Sequence, residues 1–196
     1  MSSGARALWS VLMALALGIA SSSDVMGADE GLAEVMLKLA AVPSSRAHFA
    51  ERRTLSLLTT PLESSGTLSY TRPDRLERTT LYPSQQRMSV AGDKVTVEQD
   101  GQTRSFTLGD TPEVTALIES IRSTLSGDLV TLEKYYDVVF KGAPDRWELR
   151  LAPKDARVKA LVRSITIAGR NATIETVDTE EQGGDRTIMA IVADRP

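Results

Sequence analysis

The strongest constraint on the fold is a change of hydrophobic period near residue 49. From there to residue 108 the side chains alternate in steps of two, in six short runs: FAERRTLSLL, SGTLSYT, DRLERTTL, QRMSVA, KVTVEQ and TRSFTL. Alternate side chains of a strand go to opposite faces, so each run predicts a strand with one apolar face. Turn signals separate them: Pro61, Pro73, Pro83-Ser84, Gly92-Asp93 and Asp100-Gly101. Gly and Asp adopt positive φ at little cost, which makes AGDK and QDGQ strong hairpin turns. The segment predicts about six antiparallel strands in a meander.

Helical spacing flanks and interrupts this region. Leu32, Val35, Met36, Leu39 and Ala40 share one face of a helix that Pro43 and Ser44 stop. TPEVTALIESIRSTLSGD starts with a cap at Thr111 or Asp110, has Pro112 in the first turn, and ends at Gly127. Its stripe is Val114, Leu117, Ile118, Ile121 and Leu125. DLVTLEKYY follows as a second short helix, and KDARVKALV reads as a short helix or a turn. YDVVFKG, RWELRLAP, RSITIAG, TIETVDT and RTIMAIV complete about eleven strands. Such strands must bury one face. Two packed sheets would do it, and so would one strongly curved sheet wrapped around the helices.

The N-terminus carries a different signal. One early cation, Arg6, precedes an apolar run from Ala7 to Ala20. That run is shorter than the roughly 20 residues a spanning helix needs. It reads as a cleavable secretory signal peptide. Small residues permit cleavage after Ala20 or Ala28. Ala28 is favoured, because DEGLAEVMLKLA already reads as helix. The expected division is 1–28 signal peptide and 29–196 one domain, free in the bacterial periplasm. The chain has no cysteine. Its core must therefore supply the stability without disulfides, and it lacks the cysteine to which bacterial lipid anchors attach.

Composition narrows the function. The net charge is −3 with both signs mixed, and no basic block supports nucleic-acid binding. His48 is the single histidine and has no nucleophile elbow near it. No cluster has zinc-ligand spacing. The acidic run at Asp178, Glu180, Glu181 and Asp185 lacks the alternation of a calcium loop and reads as a solvated hairpin. No enzyme, metal or cofactor is expected. An apolar concave sheet is a natural site for acyl chains. Periodicity does not separate such a site from an ordinary filled core.

SSGTLSYTRPDRLERTTLYP resembles a stretch of the periplasmic outer-membrane lipoprotein carrier (LolA) family, in which a glycine-initiated strand ends in Arg-Pro and a second strand runs to a proline. FAERRTLSLL, GDKVTVEQDG, WELRLAPKD and RSITIAG resemble further family segments, in family order, over most of residues 30 to 192. Thr71-Arg72-Pro73 and Leu76-Glu77-Arg78 stand where the family has Lys-Arg-Pro and an aromatic-rich strand, which marks a divergent branch.

The resemblance implies a mainly β, α+β fold: an unclosed, strongly curved antiparallel barrel of about eleven strands, with about three helices as lid or plug. It implies a monomeric carrier that takes the acyl chains of a lipoprotein or another amphiphile from an inner-membrane exporter to an outer-membrane acceptor. The divergence opens the alternative of a glycolipid, polyene or fatty-acyl product as cargo in place of lipoproteins. Parity places the lining at Leu68, Tyr70, Leu76, Met88, Val90, Phe106, Trp147 and Leu149, with Met36, Leu39, Leu117 and Ile121 from the lid. The resemblance puts Arg72 at the mouth, bonded to the lid in the closed state. The alternative from a different class is a periplasmic protein-interaction module with a packed core and no lipid cargo.

Overall fold

The structure, a computed structural model, describes residues 23–194. Of the expected signal peptide, residues 1–22 lie outside the described residues.

Helix α1 (Ser23–Ala40) leads into β1 (Ser44–Thr54), β2 (Leu62–Thr71), β3 (Arg75–Tyr82), β4 (Gln86–Ala91), β5 (Lys94–Gln99) and β6 (Gln102–Thr107). A 3₁₀ turn, Leu108–Asp110, opens into α2 (Pro112–Ser126) and α3 (Leu129–Tyr135). Then come β7 (Tyr136–Ala143), β8 (Arg146–Pro153), α4 (Ala156–Leu161), β9 (Val162–Arg170), β10 (Thr173–Glu181) and β11 (Arg186–Ala193). KDARVKALV thus forms a helix, capped by the Asp155 carboxylate, which accepts from the amides of Arg157 and Val158.

All eleven strands form one antiparallel sheet in the order β6-β5-β4-β3-β2-β1-β11-β10-β9-β8-β7. The first and last strands pair in its middle, Phe49 opposite Ile191. The edge strands β6 and β7 do not meet, so the curved sheet stays unclosed. The segment from Leu108 to Tyr135 links these two edges, and its helices cover one face of the sheet, the inner face.

Two differences from the sequence reading concern β1. It begins five residues earlier than FAERRTLSLL, because Ser44–His48 pair on both sides, with β2 throughout and with β11 from Ala47. It also stops at Thr54. The apolar LSLL that follows leaves the ladder as a turn, with Leu57 94% exposed.

Local chemistry explains the helix ends. Pro112 occupies the first turn of α2, where its missing N–H costs nothing. Thr111 is the residue before it, but its side chain makes no capping bond. At the other end Gly127 has φ 69°, and its N–H closes on the carbonyls of Ser123 and Thr124. A Cβ there would also lie 2.2 Å from the Met36 carbonyl oxygen, so glycine lets α2 rest against the backbone of α1. Asp128 then caps α3 by accepting from the Thr131 amide at 2.9 Å.

The inner face is buried unequally. Sixteen buried residues form the main core, among them Leu32, Val35, Met36 and Leu39 of α1 against Trp147, Leu149, Leu151, Ile165 and Ile167 of β8 and β9. Each such large side chain contributes about 1.5–3 kcal/mol. At the other end, Val90, Val95, Leu108 and Ile118 form a separate core of four.

Candidate functional site: the inner face of β2 to β6 and its helical cover

Register builds this face from the strands upward. Tyr70 pairs with Leu76, Leu76 with Val90, Val90 with Val95, and Val95 with Phe106. These five side chains make an apolar row at the end of the strands nearest α2. Ile118 of α2 is buried against it, and Val114 packs partly on it. Tyr70 and Val90 are buried, whereas Leu76, Met88 and Phe106 are half-buried.

Arginines join this half of the sheet to the helices. Arg72 follows β2 and shares the parity of Leu68 and Tyr70. Its guanidinium donates to the carbonyl of Ala40, at the end of α1, and at 3.5 Å to that of Ser126, at the end of α2. The apolar stem and the cationic tip explain why a strand directs an arginine inward at its rim. Helix C-terminal carbonyls also favour a cation. Arg122 works in the opposite direction: it projects from α2 and donates at 2.7 Å to the Gly92 carbonyl in the β4–β5 turn. Glu119 pairs with it, and Ser123 donates to the Glu119 carboxylate at 3.2 Å. Glu119 is 5% exposed, so this pair is largely shielded from water.

Deeper on the same face lies an ion pair the sequence reading did not single out. Arg78 donates to both oxygens of Glu51, at 3.1 and 3.0 Å, and its guanidinium lies 4.5 Å from the centre of the Phe49 ring. Ser64 adds a bond to Glu51 at 3.1 Å. A bidentate, stacked arginine of this kind is held in one orientation. The available signal was parity: Arg78 sits two residues beyond Leu76, and Glu51 two beyond Phe49.

The expected lining residues fall into separate groups. Leu76, Met88, Val90 and Phe106 come together at the small core. Tyr70 is buried at the end of the same row, its hydroxyl donating to the Pro73 carbonyl at 3.2 Å, and Leu68 is half-buried. Burial raises the Tyr70 phenol above its ordinary pKa, and nearby Arg72 opposes that shift. Met36, Leu39, Trp147 and Leu149 lie instead in the main core, with Ile121 packed against it. Leu117 is 39% exposed. Helix α2 is tied to that core by Tyr136, whose hydroxyl donates at 2.8 Å to the Ala116 carbonyl. Burial pushes the Tyr136 phenol well above its ordinary pKa, which keeps it a proton donor.

Hollows near this half are open and polar. One of about 570 Å³ is lined by Glu77, Thr79, Arg87 and Glu98 among others, and none of its lining residues carries a large apolar side chain. Another, of about 330 Å³, is lined by Val97, Gln99, Asp100, Gln102 and Arg104. Among the described residues no three His, Asp or Glu side chains gather as a metal site, and no helix is long and apolar enough to cross a membrane. His48 is exposed, 3.5 Å from Asp194.

Several solved structures and one family model are similar to this chain. Similar solved structures include a LolA superfamily protein from Nitrosomonas europaea (10% identity, 87% of this chain and 95% of that one, TM-score 0.46). A putative outer membrane lipoprotein-sorting protein domain from Vibrio parahaemolyticus gives 11% identity over 84% of this chain and 91% of that one, with a TM-score of 0.46. The Mycobacterium tuberculosis lipoprotein LppX gives 10%, 86%, 97% and 0.44 in the same order. A search of curated proteins finds no match. The family model described as "Outer membrane lipoprotein carrier protein LolA-like" matches residues 21–195, and the chain belongs to that LolA-like family.

Proposed function

We propose that this protein is a non-enzymatic periplasmic carrier. After removal of residues 1–28, the single domain 29–196 takes up the acyl chains of a lipoprotein or another amphiphile as a monomer. It carries them from an inner-membrane exporter towards an outer-membrane acceptor. The observation that supports this reading most is the thin cover over the apolar row at β2 to β6. Its core has four buried residues, Val90 and Val95 of the row itself with Leu108 and Ile118, beside half-buried Leu76, Met88 and Phe106, and polar fastenings at Arg72 and Arg122.

The energetics suit a reversible cover. A hydrogen bond to a charged group contributes about 1.5–3 kcal/mol when well made, and less where the donor is exposed, as Arg72 is. Lifting α2 from β4 and β5 breaks these bonds and exposes the row, and an acyl chain that takes the place of Ile118 and Val114 restores the lost burial. Arg72 is then a latch between the sheet and the ends of α1 and α2.

Native mass spectrometry of the purified mature chain tests the carrier reading: co-purifying or added acyl cargo is expected on the protein. The Arg72→Leu variant tests the latch. It is expected to load cargo but to transfer it to acceptor membranes at an altered rate, and unchanged transfer removes the latch role.

A second reading draws on the filled main core. The helices occupy the inner face over β7 to β9, as they would in an interaction module with no lipid cargo. Persistent absence of bound lipid in the same mass spectra favours that reading.

A further inference from the structure

The inner face of β3 to β6 is graded along the strands. Its first row, Leu76, Val90, Val95 and Phe106, is apolar. Its second is Arg78, Met88, Val97 and Arg104, two apolar side chains between two arginines. Its third is Thr80, Gln86, Gln99 and Gln102, all polar. First and third rows are four residues apart, roughly 13 Å along a strand. The apolar end lies beneath α2, while Gln99, Gln102 and Arg104 are exposed.

Charge on this face is almost balanced. Arg78 is held by Glu51, and Arg53 by Glu181 at 3.2 Å. Arg104 makes no ion pair among the described residues, and its side-chain bond is a long one, 3.4 Å, to the Gln102 amide oxygen. It borders the open hollow of about 330 Å³ together with Val97, Gln99, Gln102 and Asp100, the last at the tip of the β5–β6 hairpin. The hollow thus has one apolar residue, Val97, on the side of the covered row, two amides, and Arg104 and Asp100, which form no ion pair with each other and leave the guanidinium open to a ligand.

We propose that this hollow is the head-group subsite of the carrier, and that it selects amphiphiles with an anionic head group, a phosphate or a carboxylate, bound by Arg104. The inference rests on the carrier reading above. The acyl chain runs from the hollow past Met88 and Val97 to the row under α2. The head group stays at the open ends of β5 and β6, where Arg104 and the Gln102 amide donate to it. The Arg78–Glu51 pair, already satisfied, contributes a fixed polar wall and no net charge.

The test uses the mature chain and two probes of equal chain length, a monoacylglycerol phosphate and the uncharged monoacylglycerol, with inorganic phosphate as competitor. The wild-type protein is expected to bind the phosphate form about tenfold more tightly, and the preference shrinks as salt screens it. In Arg104→Gln the preference for the phosphate form over the monoacylglycerol vanishes. Arg104 is exposed on an edge strand, so the variant keeps the fold. Equal binding of both probes by the wild type, or a preference retained in Arg104→Gln, overturns the head-group subsite and leaves the carrier reading standing. Displacement of the acyl phosphate by millimolar inorganic phosphate alone overturns the amphiphile assignment in favour of a free-anion site. Binding of neither probe overturns the carrier reading and this inference with it.

Discussion

The β7–β10 half of the sheet and the β3–β6 half receive the same kind of strand, with one apolar face each, yet they bury it differently. On β8 and β9, Trp147, Leu149, Leu151, Ile165 and Ile167 are covered by α1 and by parts of α2 to α4. On β3 to β6, the row beneath α2 is apolar, the next mixes Met88 and Val97 with two arginines, and the last is polar. The first half is a core that carries stability. The second is, on the function proposed above, a surface with a removable cover. A fold of this size keeps its structure while part of it opens, provided the opening part is the one with fewer apolar contacts.

Substitutions sharpen this contrast, and the largest effect is expected in the closed half. Leu149→Ala, at a site with 0% exposure, is expected to cost about 3 kcal/mol in denaturant unfolding, against about 1 kcal/mol for half-buried Met88→Ala. Equal costs would erase the distinction. Gly66→Ala comes next, at about 2 kcal/mol, because its Cβ would sit 1.9 Å from the Thr79 carbonyl oxygen where β2 and β3 approach closely. Arg122→Leu leaves Glu119 buried without its cation and frees the Gly92 carbonyl. It should destabilise by about 1–2 kcal/mol and raise amide exchange in α2 and the β4–β5 turn, leaving β8 and β9 protected.

The smallest effect is a cap. Hydrogen bonds from Thr131 hold the Asp128 carboxyl below its ordinary pKa, so the ionised form is favoured in the folded state. Its contribution is complete above the ordinary carboxylate range, near pH 4, and is lost as pH falls through the lowered value. Asp128→Ala should cost about 1 kcal/mol at pH 7, and thermal unfolding should show the difference from wild type closing at acid pH.

Much of this architecture was legible in the residues. The hairpin turns at Gly92 and at Asp100-Gly101 adopt positive φ, as their types require. The periods of two and 3.6 placed the strands and the helices, and the family resemblance, not the local pattern, singled out Arg72, whose guanidinium donates to the Ala40 carbonyl. Other features depend on register, which local pattern does not contain. Glu51 and Arg78 both show inward parity, but their meeting requires β1, β2 and β3 to align across the irregularity at Ser65/Gly66. Parity likewise put Val90 and Trp147 on one face. It held nothing about α1 choosing the β7–β9 end, a choice fixed by packing between Leu39 or Met36 and distant strands. The early start of β1 was invisible for a related reason. Ser44–His48 carry little apolar signal, and pairing with neighbouring strands makes them a strand.

The most direct test of the central claim is a pair of distances in one cysteine-free chain, which accepts engineered labels without background. Spin labels at Leu117 on α2 and Glu98 on β5 report the cover; labels at Leu37 on α1 and Val139 on β7 report the closed half, and all four positions are exposed. On adding a monoacylglycerol phosphate, the first distance is expected to lengthen and the second to stay fixed. Bound probe with the first distance unchanged, or with both distances shifting together, would contradict the account.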